Sequence, residues 1–194
     1  MFSKKICVIG LGYIGLPTAA LLAHRGYDVH GVDVEQSTVN IINRGEIHIV
    51  EPELDTFVKG AVSSGKLKAS LNPCEADVFI IAVPTPFHEG FVPNIDYVLS
   101  ATKAIAPFVK ENNVVILEST SPVGTTDKIE EALVAEGIDT SKLFIAHCPE
   151  RVLPGQIMRE LIENDRIVGG TTPKATDQAV EFYKTFVSGE VLST

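Results

Sequence analysis

The sequence predicts an α/β fold, a mainly parallel sheet with helices on both faces. Three observations predict it. Short apolar runs alternate with helix-patterned segments along the whole chain, as they do when crossover helices join parallel strands. A G-x-G-x-x-G, made by Gly10, Gly12 and Gly15, follows the first apolar run directly and opens a helix pattern. Polar, turn-forming clusters come just after the apolar runs, at Gly10, Asp33, Thr85, Thr120 and Glu150. In an open parallel sheet such positions share one edge, where ligands bind. Together these features specify the doubly wound, Rossmann-like member of the class, with residues 1–194 as one domain.

Each element has a local reason. Residues 6–9 are an apolar strand that ends at Gly10. Gly10 permits a tight strand-to-helix turn, Gly12 lets the backbone approach a pyrophosphate, and Gly15 lets helix and strand pack closely. The helix is rich in small residues (Ala19, Ala20, Ala23) and stops at Gly26. Pro17 lies in its first turn, where a missing N–H costs little. Residues 29–32 form a second strand ending on Asp33. Helices follow at 36–44 and 53–64, stopped by Gly45 and Gly65, with a loop between them and a short strand at 67–70. The continuous apolar run 77–83 reads as a fully buried strand, and a proline-shaped loop follows. A helix at 96–110 breaks near Pro107; residues 114–117 form the next buried strand. The helix at 125–136 is amphipathic, with Ile129, Leu133 and Val134 on its apolar side. Strands at 143–146, 167–170 and 190–192 and a helix at 173–187 complete the pattern.

The strand, glycine turn, helix, strand and acid stand in the order that the dinucleotide-binding fingerprint requires. Free N–H groups at the helix start face the phosphates, and the helix dipole favours negative charge there. Asp33 accepts both hydroxyls of an adenosine ribose. Against a 2′-phosphate it sets a like charge, worth about 4 kcal/mol at an effective dielectric near 20, and the adjacent Val34 and Glu35 supply no cation. The expected cofactor is therefore NAD rather than NADP. The competing role for Asp33 is a cap on the following helix.

Composition narrows the remaining classes. A net charge of −9 argues against nucleic-acid partners. No apolar run approaches the length of about 18 residues that a membrane span needs, and the N-terminus enters the first strand without room for a signal peptide. Cys7, Cys74 and Cys148 are odd in number and widely spaced, which suits a reducing cytoplasm and gives neither a disulfide frame nor a zinc site.

Several polar residues at the strand ends are candidates for the site, each with a plainer alternative. Thr85, between two prolines, bonds either the cofactor or its own backbone. Thr120 either holds a water or substrate oxygen near the nicotinamide or shapes a turn; Thr125 or Thr126 fits the helix cap better. Thr126 touches the cofactor while capping, or only caps. Glu150 and Arg151 position a water or a sugar, or form a surface ion pair worth about 0–1 kcal/mol. Cys148 has no neighbour in sequence that lowers its pKa, so a buried, inert thiol is the commoner outcome. The five histidines are dispersed without metal-ligand spacing.

These motifs together resemble the UDP-glucose/GDP-mannose dehydrogenase family. The likeness covers the whole chain: V-I-G-L-G-Y-I-G-L-P, Asp33, I-x-E-P-x-L (residues 49–54), A-V-P-T-P, E-S-T-S-P-V-G and C-P-E-R-V-L-P-G. UDP-glucose members usually carry P-E-F-L-x-E-G at the last of these. Here Arg151 and Val152 replace Phe-Leu and Pro154 replaces the second Glu. This departure resembles the branch that oxidises UDP-N-acetyl-D-mannosamine; UDP-glucose and UDP-N-acetylglucosamine are the alternative substrates.

The resemblance implies a twofold oxidation of the C6 alcohol of a UDP-sugar to a uronic acid with two NAD, through an aldehyde trapped by a cysteine thiolate. By position it implies that Tyr13, Ile14, Asp33, Thr85 and Thr126 touch NAD. It implies further that Thr120 helps to place the catalytic water, that Glu150 assists, and that Arg151 and Val152 line the substrate side. The family's nucleophilic cysteine and its catalytic lysine and asparagine lie downstream of Thr194. The expectation is thus an NAD-binding domain that is inactive alone, completed by a central helix and a C-terminal UDP-sugar domain, and a homodimer at full length. Two rivals are a small β-hydroxyacid dehydrogenase and a non-enzymatic NAD-sensing module.

Overall fold

A computed structural model describes residues 5–194; the first four residues of the predicted domain, and the reading of the leader that rests on them, lie outside the described part. β1 (Lys5–Ile9) is buried at every position but its first. It lies inside an eight-stranded sheet with β2 (Asp28–Val32), β3 (Leu67–Ser70), β4 (Val78–Ile81), β5 (Val114–Leu117), β6 (Phe144–His147), β7 (Arg166–Gly170) and β8 (Val191–Ser193), in the order β3-β2-β1-β4-β5-β6-β7-β8. Ile6 stands between Val29 on one side and Val78 on the other, both in parallel register. The strand order reverses between β1 and β4; in an open parallel sheet such a reversal is where the loops part and ligands bind in a crevice beyond the C-terminal strand ends.

Side chains alternate across the sheet and so divide the core in two. Ile6, Val8, Ile80 and Ile116 face one layer, packed by α1 (Gly15–His24), α2 (Gln36–Asn43), α3 (Leu54–Ser63), α6 (Ile157–Glu163) and α7 (Pro173–Tyr183). Cys7, Ile9, Phe79, Ile81, Val115 and Leu117 face the other, packed by α4 (Asp96–Ile105) and α5 (Thr125–Ala135). With both faces covered, β4 and β5 have no exposed residue, which explains their unbroken apolar runs.

One detail is left open by the sequence reading and three depart from it. β7 runs antiparallel to β6, pairing His147 with Gly169, so the sheet is parallel only as far as β6 and again between β7 and β8. α6 was not anticipated. At seven residues it is shorter than the window in which helical periodicity shows, and its cap comes from far away: Glu51, itself buried, accepts the amides of Gly155 and Ile157, both at 2.8 Å. Val134 is exposed on α5, because five positions beyond Ile129 amount to about 140° round a helix of 3.6 residues per turn. α7 ends at Tyr183 rather than at 187.

Candidate functional site

The glycine turn is built by exclusion. Gly10 has φ 90° and donates its amide to Val32 O at 2.8 Å. A Cβ on Gly15 would stand 1.8 Å from Gly10 O, so α1 can approach β1 only with glycine there. A Cβ on Gly12, in contrast, would meet nothing within 4 Å. Among the described residues the amides of Gly12, Tyr13 and Ile14 have no acceptor. The first turn of α1 has no acidic residue, and its N-cap, Ile14, contributes no side-chain bond. Open space, free donors and the positive end of a helix dipole thus coincide, and this arrangement fits a diphosphate. The exposed Tyr13 and half-buried Ile14 flank the space.

Asp33 is half-buried at the end of β2. Its Oδ2 accepts the Leu11 amide at 3.0 Å and its Oδ1 accepts the Glu35 amide at 3.0 Å. The N-cap position of α2 belongs to Glu35, so Asp33 is not that helix's cap; it ties the glycine turn to the neighbouring strand end.

The next three strand ends are joined by hydrogen bonds. Thr85 Oγ1 donates to Thr120 O at 2.5 Å, and Ser119 Oγ donates to Val83 O at 2.6 Å. His147 Nε2 lies 3.2 Å from Ser119 O. The structure therefore brings Thr85 and Thr120 together, with Thr120 exposed at the rim. Thr126 is half-buried in the first turn of α5, and its hydroxyl has no hydrogen-bond partner among the described residues. The expected cap by Thr125 or Thr126 is not made. Gly124 occupies the N-cap position at φ 86°, without a side-chain bond, and the Thr125 hydroxyl turns back to Pro122 O at 2.7 Å.

Glu150 does not take its plainer alternative. It does not pair with Arg151 at the surface. Its carboxylate forms an ion pair with Arg166, at the start of β7, with side chains 3% and 2% exposed. Arg151 is exposed and donates from Nη2 to Asp165 O at 2.9 Å, while its backbone amide reaches Glu150 Oε1 at 2.9 Å. Val152 packs against the α1-side core. No local pattern reveals the Glu150 partner, which stands 16 residues away on a strand that reverses direction.

Glu118 is a buried charged residue beside these strand ends that the sequence reading passes over. The alternation of β5 carries it onto the α1 and α7 face, fully buried. Its Oε1 accepts the Tyr183 hydroxyl at 2.8 Å, and its Oε2 lies 3.4 Å from Thr18 Oγ1. Arg166 lies over the Tyr183 ring, 5.6 Å from its centroid. Burial, and then the charge of Glu150, raise the Glu118 carboxyl to about 7, against the opposing effect of Arg166 and the two hydroxyls. The only available signal was a glutamate that continues a fully apolar run. Cys148 borders this cluster; burial first, and Glu118 next, push its thiol up to about 12, so it stays protonated and inert.

Among the described residues, no group of three or more His, Cys, Asp or Glu is placed to hold a metal ion, and no helix is long and apolar enough to cross a membrane.

Comparison with known proteins agrees with this geometry. Residues 4–187 match the model of the UDP-glucose/GDP-mannose dehydrogenase family, NAD binding domain. The chain is 56% identical to the UDP-N-acetyl-D-mannosamine dehydrogenase of Campylobacter jejuni, covering 98% of this chain and 49% of that protein. It is 50% identical to an NDP-N-acetyl-D-galactosaminuronic acid dehydrogenase of Ralstonia nicotianae, covering 98% and 47%. Among solved structures, the UDP-N-acetyl-mannosamine dehydrogenase Cap5O from Staphylococcus aureus superposes with a TM-score of 0.93 at 43% identity, over 98% of this chain and 47% of that one. The chain thus spans about half the length of the relatives it matches. A family model that takes in the glycine turn, Asp33 and every strand end of the crevice leaves one assignment: this chain belongs to the UDP-glucose/GDP-mannose dehydrogenase family and carries its NAD-binding domain.

Proposed function

We propose that the chain is the NAD-binding half of a nucleotide-sugar 6-dehydrogenase that oxidises UDP-N-acetyl-D-mannosamine to its uronic acid. NAD supplies the hydride acceptor for such a reaction. The free amides of Gly12, Tyr13 and Ile14 hold the diphosphate, and Asp33 takes the ribose diol. Thr85, bonded to Thr120, presents the β4 loop to the cofactor, and Thr126 faces it from α5. Thr120 places a water, with Glu150 held in line by Arg166. Arg151 offers its exposed head to the sugar nucleotide, while Val152 sets the loop's depth from the core side.

The observation that carries the proposal is the open, donor-lined turn at Gly12, set beside the 56% identity to a UDP-N-acetyl-D-mannosamine dehydrogenase. The 50% identity to an NDP-N-acetyl-D-galactosaminuronic acid dehydrogenase favours a second reading, in which the same half serves another aminosugar nucleotide. The three free cysteines suit a cytoplasmic setting. The partners are the UDP-sugar and the UDP-sugar-binding half of the enzyme, with a homodimer at full length.

The test has two steps. Calorimetry of the chain with NAD is expected to give one site per chain, with no NADH appearing when UDP-N-acetylmannosamine is added. Fused to the second half of a relative, the chain is expected to form NADH at 340 nm from UDP-N-acetylmannosamine in preference to UDP-glucose. Preference for UDP-glucose would overturn the aminosugar assignment, and failure to bind NAD would overturn the whole reading.

A further inference from the structure

Two carboxylates and one guanidinium lie buried together below the crevice. Arg166 gives its ion pair to Glu150, so the charges of that pair cancel. Among the described residues Glu118 has hydroxyl partners only, Tyr183 and Thr18. A buried carboxyl without a directly bonded cation favours its neutral form. The charged and titratable groups around it are Tyr183 from α7, Cys148 and Glu150 from the segment after β6, and Arg166 from β7; α1 presents only Thr18. Oε1 already accepts the Tyr183 hydroxyl, which leaves Oε2, beside Thr18, to carry the proton.

Thr18 is the fourth residue of α1, one turn from the free amides of Gly12, Tyr13 and Ile14. A negative charge at Oε2 stands beneath the positive end of the α1 dipole and opposes an anion held there. We propose that Glu118 is a proton-holding positioning residue for the cofactor: neutral, it anchors α1 through Thr18 and α7 through Tyr183, and NAD binding draws a proton from solvent onto it. The proposal rests on the reading that the diphosphate lies at the α1 start. By reciprocity, a diphosphate that favours the protonated form binds more weakly once that proton is lost.

The linkage falls in a measurable range because burial raises the Glu118 carboxyl to about 7. If bound NAD raises it by about one unit, the uptake is about 0.4 proton per NAD near pH 7, and NAD affinity falls about eightfold between roughly pH 6 and pH 9. Calorimetry of the chain with NAD, in buffers of different ionisation heat, reads both quantities. Glu118→Gln keeps the shape and both hydroxyl contacts while fixing the neutral state; it is expected to show no uptake and to hold the low-pH affinity across the range. Tyr183→Phe removes a donor that favours the ionised form and is expected to move the affinity midpoint to higher pH.

Proton release on binding, an affinity independent of pH in the unaltered chain, uptake that survives in Glu118→Gln, or an unmoved midpoint in Tyr183→Phe would each overturn the proposal. Binding without proton exchange overturns this inference alone. No binding at any pH overturns it together with the reading of the site on which it rests.

Discussion

The Asp33 carboxylate holds the Leu11 amide at 3.0 Å, so the acid proposed to bind the cofactor ribose also supports the glycine loop proposed to hold the diphosphate. The two tasks are coupled through one side chain, and removing it should damage both.

Asp33→Ala is expected to weaken NAD binding by about 10- to 100-fold, the range for losing charge-assisted hydrogen bonds of about 1.5–3 kcal/mol. Binding of NADP should fall less, because a like charge is removed as well. Titration of both dinucleotides into both proteins checks this; equal affinities in the unaltered chain contradict the role given to Asp33.

Gly12→Ala and Gly15→Ala should separate binding from folding. At Gly15 a Cβ would stand 1.8 Å from Gly10 O, so the alanine variant is expected to lose about 2–4 kcal/mol of stability through overpacking against backbone. At Gly12 the Cβ enters open space, so Gly12→Ala should melt within a few degrees of the unaltered chain yet bind NAD poorly. Thermal melts with and without NAD read both effects.

Arg166→Met leaves the Glu150 carboxylate buried without its cation. The expected cost is about 3–5 kcal/mol in urea unfolding, and Arg166→Met combined with Glu150→Gln should recover much of it, because the loss lies mainly in the stranded charge. A single variant as stable as the unaltered chain would show that Glu150 reaches water.

Stability should also depend on pH through Glu118. Its folded-state carboxyl is raised from 4.5 to about 7, so between those values the folded chain binds the extra proton. Its contribution is fully present below about pH 4.5 and is lost as pH rises through about 7, to a total of roughly 3 kcal/mol. Glu118→Gln should therefore be more stable than the unaltered chain at about pH 8, and the advantage should shrink to under about 1 kcal/mol near pH 5. Unfolding by urea at both pH values is the check.

The legible and illegible parts of the structure differ by sequence distance. Gly10, Gly12, Gly15 and Asp33 lie within one strand–helix–strand unit, where each constraint falls on a neighbour and shows as residue type and spacing. The buried runs of β4 and β5 were readable for the same reason. Glu51 capping α6, Tyr183 bonding Glu118 and Arg166 pairing with Glu150 join segments 16 to 106 residues apart. Nothing in either local segment announces such partners. The reversal of β7 was equally hidden, since a strand's composition does not state its direction.

The hydrogen bonds that link Thr85 to Thr120, Ser119 to Val83 and His147 to Ser119 mean that no single lip of the crevice can breathe alone. Opening one strand end strains the next, so local unfolding there is collective. The backbone amides of these three segments should then trade deuterium at a common pace, and a ligand gripping any one of them should slow all three together.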